Sequence, residues 1–375
     1  MLRILHVLRA PVGGLFRHVS DLAVHQAARG HAVGLFCDRA HVDALTDARL
    51  AALEPHLTLG LHRQAMPRLP GVDDWRIARA TTEVAGRLEV DVIHGHGAKG
   101  GLYARLGGAQ HGNRARPARF YTPHGGSLHY APTSLNGRLY MTVERWLARR
   151  TDGLIFESAF AQTRFASQIG SGLADERVIP NGVGDADFEP VAPAPDAADI
   201  VFVGELRHLK GVDVLLDAIA DAEVDGRSLT AVIVGAGPDA NAIKSRAAEL
   251  GLSERVRFPG ALPARDAFAL GRVLAMPSRA ESLPYVILEA AAAGRPIVAT
   301  HVGGIPEITA GTATKLVAAG DPAPLRKALI DTLSAPDVAA TRANELRARI
   351  AERFSVTRMG DDVLAFYNEA INRVP

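Results

Sequence analysis

Short apolar runs alternate with helix-length mixed segments along this chain, and the alternation lapses once and then starts again. Residues 2–8 read as a buried strand, followed by a helical pattern over about 16–29 and a second strand at 31–37. Strand candidates at 91–94, 119–122 and 153–156 continue the series. Strands spaced by helices of this length imply βαβ units and a parallel sheet. At 185–199 the pattern gives way to DADFEPVAPAPDAAD, rich in Pro, Ala and Asp, which reads as a linker. Beyond it the alternation resumes, with strands at 200–203, 230–234, 256–258, 273–276 and 296–299 and a helix at 212–220. A chain of 375 residues exceeds what one hydrophobic core usually supports. The expectation is α/β, two doubly wound domains in tandem.

Composition narrows the function classes. Lys+Arg 42 against Asp+Glu 41 leaves +1, so bulk charge gives no footprint for nucleic acid, and any anion must be held by local cations. One cysteine, Cys37, excludes an internal disulfide and a cysteine-rich zinc site, and fits a reducing, cytoplasmic compartment. The start MLRILHVLRAPVGG reads as a first buried strand rather than a secretory leader, and no run approaches 18 uninterrupted apolar residues.

Two glycine-rich loops follow strands, where open α/β sheets bind ligands. Gly13 and Gly14 precede a helix N-terminus suited to negative charge; a tight turn with nothing bound is the equal alternative. Gly235-Ala236-Gly237 lacks a third fingerprint glycine and any following Walker lysine, and a plain strand-to-helix turn accounts for it. The densest stretch is LAMPSRAESLPYVILEAAAAGRPIVATHVGGIPEI from Leu274. A helix opening near Pro284 leaves Glu281 in the loop and sets Glu289 about one and a half turns in. Carboxylates so placed can meet a ribose diol or a sugar ring, though a random pair of glutamates is usually solvated.

The segment from Glu281 to Glu289, ESLPYVILE, resembles the E-x7-E motif of the retaining glycosyltransferases of family 4, also called group 1. AAAAGRPIVAT and VGGIPE after it are similar to the family in residues and spacing. So are IPNGV at 179–183 and Gly13-Gly14 leading to Arg29-Gly30-His31. The resemblance covers nearly the whole chain, and the block 274–307 is its most specific part. It implies the GT-B architecture, two Rossmann-like domains facing across a cleft. The expected division is an acceptor-side domain over 1–184, the linker 185–199 and a nucleotide-sugar domain over 200–355. A last helix at about 356–375 is expected to pack back on the first domain.

The resemblance also carries roles. VFVGELRHLKG at 201–211 matches the family segment whose Arg and Lys bind the donor diphosphate. Lys210 matches directly; Glu205 stands at the usual arginine position, and Arg207, two residues on, is the candidate replacement. Fixed cations there would stabilise a leaving group as it gains charge. By the same likeness the amides of Ser282 and Leu283 approach the phosphates, Glu289 binds ribose and Glu281 contacts the donor sugar or lies near the reaction centre; Gly13, Gly14 and Gly235 are counted with the donor-binding candidates. His124, in YTPHGG at 121–126, is expected to touch the donor sugar, with a structural histidine as the competing role. His94 and His96 alternate onto one strand face; no further ligand is spaced to close a metal site, so they read as lining for the acceptor. Asp185-Ala186-Asp187 imitates a metal-binding motif of another fold and is taken as coincidence.

The helical stretch NGRLYMTVERWLARR at 136–150 carries Trp146 and four arginines, and either touches anionic lipid or packs its apolar side inward. The expected activity is retaining transfer of a sugar from a nucleoside-diphosphate donor to a saccharide or lipid-linked hydroxyl acceptor, in surface-polysaccharide, lipopolysaccharide or glycolipid assembly. No metal or other cofactor and no nucleic-acid partner are expected. The protein is placed in the cytoplasm, peripheral on the inner membrane face if the helix binds lipid. A non-catalytic nucleotide-sugar binder or assembly protein, or a nucleotide-sugar epimerase, are the alternatives.

Overall fold

A computed structural model describes residues 1–40, 44–107, 116–125 and 134–373. The chain forms two compact units: residues 1–182 with 356–375, and residues 183–355.

In the first unit seven parallel strands run as β1 (Arg3–Leu8), β2 (Ala32–Asp38), β3 (Gly60–Gln64), β4 (Val92–His96), β5 (Ala118–Thr122), β6 (Gly153–Phe156) and β7 (Asp175–Val178). Their order in the sheet is β3-β2-β1-β4-β5-β6-β7. The central strands are short apolar runs because helices cover both faces, as parallel sheets require. Ile4, Leu5, Val7 and Leu8 of β1 are all fully buried, each worth about 1.5–3 kcal/mol of transfer free energy. Glycine lets the helix Gly97–Gly107 lie directly on the sheet. A Cβ at Gly100 would strike the Val7 carbonyl, and one at Gly101 the Tyr121 ring. The helix Val356–Ile371 belongs to this unit, and its Val363, Phe366 and Tyr367 share a buried cluster with Val92 and Phe120.

The second unit has strands β8 (Ala198–Val203), β9 (Glu223–Val224), β10 (Arg227–Ser228), β11 (Ala231–Val234), β12 (Val256–Gly260), β13 (Gly271–Met276), β14 (Ile297–Thr300) and β15 (Leu316–Val317). Here β9 and β10 form a small hairpin, and the others form a parallel sheet ordered β12-β11-β8-β13-β14-β15. Its core joins Ile200, Phe202, Ile233 and Val273 to the helix Val212–Ala220.

The stretch 185–199, expected as a linker, is instead fastened to the second unit. Asp185–Phe188 forms a 3-10 turn closed by Asp187 Oδ2, which accepts from Gly184 N at 2.8 Å. Arg265 donates to the Ala186 and Glu189 carbonyls at 2.9 and 3.0 Å, and Ala194 N donates to Ala269 O at 2.8 Å. Backbone groups and arginines hold this segment, which is why it shows no apolar period. Among the described residues no helix is long and apolar enough to cross a membrane.

Candidate functional site

In the second unit the strand order reverses between β8 and β13. Ligands of open α/β sheets bind beyond the strand carboxyl ends at such a point. The two segments leaving those strands carry the candidate donor residues. Lys210 Nζ donates to Glu281 Oε1 at 2.6 Å, and Ser278 Oγ donates to the same oxygen at 2.7 Å. The pair is largely sheltered, with 8% of the Glu281 side chain and 23% of that of Lys210 exposed.

Arg279 ties the two segments together. Its guanidinium meets both Asp213 oxygens at 2.7 and 2.6 Å and donates to His208 O at 2.8 Å, while its backbone N donates to Leu209 O at 2.8 Å. Burial pushes the Asp213 carboxyl up, but the Arg279 hydrogen bonds and charge outweigh it and leave the group below the usual range. Gly211 completes the join. At φ 68° it starts the helix Val212–Ala220, and the Pro277 carbonyl fills the space its Cβ would need. On the other side Gly304 N donates to Ser282 O at 2.6 Å.

Glu289 lies on the helix Tyr285–Ala292, partly exposed, and Leu283 is buried with Ile287 and Leu288. Gly235 answers to packing: the Gly204 carbonyl occupies its Cβ space. Arg207 faces solvent beside Glu205, Nη1 to Oε2 3.5 Å, and does not join the Lys210 cluster. Gly13 and Gly14 are exposed and open the helix Gly13–Ala28 in the first unit, Gly13 at φ 63°.

The first unit holds a second polar centre. Its switch point lies between β1 and β4, where His6 pairs in register with His94 and both face the helix carrying His18 and Gln26. His124 follows β5 at φ 49°, a conformation uncommon outside glycine and one that collects at functional sites. Gly126 of that loop lies outside the described residues. Five imidazoles converge here. His6 Nδ1 is 3.0 Å from His96 Nε2, and His96 Nδ1 is 3.2 Å from His124 Nε2. His6 Nε2 meets Gln26 Oε1 at 2.8 Å, and His18 Nδ1 meets Asn181 Oδ1 at 3.0 Å. Both His94 nitrogens are engaged, Nδ1 with Tyr367 Oη at 2.5 Å and Nε2 with Thr122 Oγ1 at 2.9 Å. Burial pulls His6 down to about 4 and His18 to about 3, and holds His94, His96 and His124 well below the ordinary value. The rings are therefore neutral at physiological pH.

The structure corrects one expectation about this centre. Ligands are spaced to close a site around His94 and His96: the triads His6–His94–His96 and His18–His96–His124 each bring their nitrogens within 4.8 Å of one another. A metal on the first triad would have to displace Tyr367 or Thr122 from His94. Sequence reasoning missed Ser278, Arg279, Asp213, His6, His18, Gln26, Asn181 and Tyr367. The pairing that sets His6 beside His94 exists only once β1 and β4 are neighbours, so the sequence carried no signal of it.

Two doubly wound units, one with a Lys–Glu–Ser cluster at its switch point, define a GT-B transferase fold. Sucrose-phosphate synthase from Thermosynechococcus elongatus superposes with a TM-score of 0.82 at 20% identity, over 99% of both chains. Anabaena HepE, solved in complex with UDP-glucose, gives 0.78 at 22% identity over 98% of this chain and 100% of that one. The family described as Glycosyltransferase Family 4 matches residues 12–186, and that described as Glycosyl transferases group 1 matches 197–335. The 2-deoxystreptamine glucosyltransferase of Streptomyces kanamyceticus is 30% identical over 352 residues, 85% of this chain and 90% of that protein. This chain belongs to the group 1, family 4 glycosyltransferases, and it is a glycosyltransferase.

Proposed function

We propose that the chain moves a hexosyl unit from a nucleoside-diphosphate sugar to a hydroxyl acceptor with retention of configuration. The observation that carries this reading is the Lys210–Glu281–Ser278 cluster beyond β8 and β13. With donor bound, Lys210 trades part of its contact with Glu281 for the diphosphate. A fixed ammonium there stabilises the charge that grows as the C1–O bond to phosphate breaks. Glu281 lies beside the sugar, Glu289 accepts from ribose hydroxyls, and the amides of Ser282 and Leu283 meet phosphate oxygens. His124 accepts from a donor-sugar hydroxyl. Among the described residues of the second unit, Glu281 is already shared by two donors and is poorly disposed to act as a covalent nucleophile. The acceptor oxygen therefore bonds to C1 on the face the phosphate leaves, and its proton goes to the departing phosphate oxygen.

Lys210 supplies the positive charge, so transfer is read as running without a divalent cation. The UDP-glucose complex of the Anabaena relative supports a uridine nucleotide as the first donor to try. The acceptor is read as saccharide or lipid-linked, met at the inner membrane face in surface-glycan or glycolipid assembly. What supports this is the helix Leu135–Ala148. Its Leu139, Val143 and Trp146 form an exposed stripe beside exposed Arg138, Arg145, Arg149 and Arg150, a pattern suited to anionic lipid.

The test is a donor screen by thermal shift, then transfer with the stabilising donor and NMR of the product anomer. Retained configuration supports the reading. Inverted configuration, or hydrolysis alone with every acceptor class tried, sinks it.

A further inference from the structure

Gln26, His6, His96 and His124 form a row, with links of 2.8, 3.0 and 3.2 Å. Gln26 and His6 are fully buried, and 1% of His96 is exposed. No carboxylate takes part in any link. A neutral imidazole has one nitrogen that donates and one that accepts, and the partner of one nitrogen decides the state of the other. In a row of such rings a choice made at one end therefore passes to the other.

The choice is made at Gln26. Its Oε1 faces His6 Nε2, and a carbonyl oxygen can only accept. His6 then carries its proton on Nε2 and leaves Nδ1 bare. That bare nitrogen requires a proton on His96 Nε2, which leaves His96 Nδ1 to accept from His124 Nε2. The last ring ends with Nδ1 unprotonated. We infer that Gln26 is a positioning residue which, through His6 and His96, fixes His124 in the Nε2–H form, so that the ring offers a hydrogen-bond acceptor and no donor at Nδ1.

The consequence is a selectivity by chemical class. An acceptor nitrogen pairs with a hydroxyl and repels a carbonyl or phosphate oxygen. A donor nitrogen, or a cationic ring, would do the opposite. This part rests on the reading of His124 as a contact of the donor sugar; the tautomer itself does not. The carboxamide also suits the task, because a carboxylate in this buried place would draw a second proton onto the row and make His124 a worse acceptor.

The experiment is long-range proton–nitrogen NMR of the full chain labelled with 15N-histidine, at pH 7.5 after dialysis against chelator, with His124→Ala used to assign the ring. Expected for the wild type is an unprotonated-type shift at His124 Nδ1 and a protonated-type shift at Nε2. The reverse pattern, or a cationic ring, overturns the inference. Gln26→Leu removes the acceptor and is expected to give His124 averaged shifts. An unaltered His124 spectrum in Gln26→Leu also overturns it. In transfer assays Gln26→Leu is expected to lose kcat by about tenfold with the donor KM moving less, the scale of one hydrogen bond lost in the transition state. If the NMR results hold while His124→Ala transfers at the wild-type rate, the tautomer stands and the sugar-contact reading of His124 fails.

Discussion

Acid should unfold the first unit in a window where few other groups titrate. Unfolded, each histidine takes up a proton near pH 6.5; folded, His6 waits until about 4 and His18 until about 3, because burial opposes the charge. The unfolded state therefore binds more protons, and stability falls as pH falls below 6.5. From pH 7.5 to pH 5.0 a histidine that stays neutral in the fold costs about RT ln[(1 + 10^1.5)/(1 + 10^−1)], or about 2 kcal/mol. His6 and His18 together give about 4 kcal/mol, against a total of about 5–15 for an ordinary domain. His94, His96 and His124 act in the same direction. Asp74, where hydrogen bonds to Lys99 and Tyr103 outweigh the upward push of burial, loses its contribution only below the ordinary carboxylate range. Both tryptophans, Trp75 and Trp146, lie in the first unit, so urea unfolding followed by their fluorescence reads that unit. The midpoint is expected to drop by more than about 1 M between the two pH values, for a urea slope of 1–3 kcal/mol/M. A midpoint that stays within about 0.3 M would refute the claim that these rings are buried uncharged.

Three further outcomes test the second unit. Glu281→Gln and Lys210→Ala are each expected to lower kcat by roughly 10²–10³ while circular dichroism stays unchanged, since each removes charge placed for the transition state. Gly211→Ala should cost about 1–3 kcal/mol in thermal unfolding and weaken donor binding, because its Cβ meets the Pro277 carbonyl at a positive φ. Arg279→Gln, which leaves Asp213 partly buried without its ion pair, should raise the donor KM more than it lowers kcat, as read in steady-state assays.

The fold class was legible because buried parallel strands are short apolar runs, and helix boundaries such as 212–220 followed from the spacing between them. The strands left out were β3, β7, β9, β10 and β15. GLHRQ and DERV sit at the two edges of the first sheet, where polar side chains face water and no apolar run is demanded. At the site, Glu281 and Lys210 could be named because their spacing matched a pattern. Arg279 could not, since its work is to join two loops that the sequence separates by 66 positions. The histidine centre was least visible. Residues 6, 18, 94, 96 and 124 meet only once β1, β4 and β5 lie side by side beneath one helix.

The helix Val356–Ile371 completes the first unit, although 173 residues of the second unit, from 183 to 355, are made before it. During synthesis the later unit can therefore finish first. The earlier one emerges with Phe120 uncovered and with His94 short of the Tyr367 hydroxyl. Until residue 367 leaves the ribosome, the nascent first unit holds an open seam over its own sheet. Any chain cut short before that helix would carry the same seam permanently, a mark by which quality control could tell it from the finished enzyme.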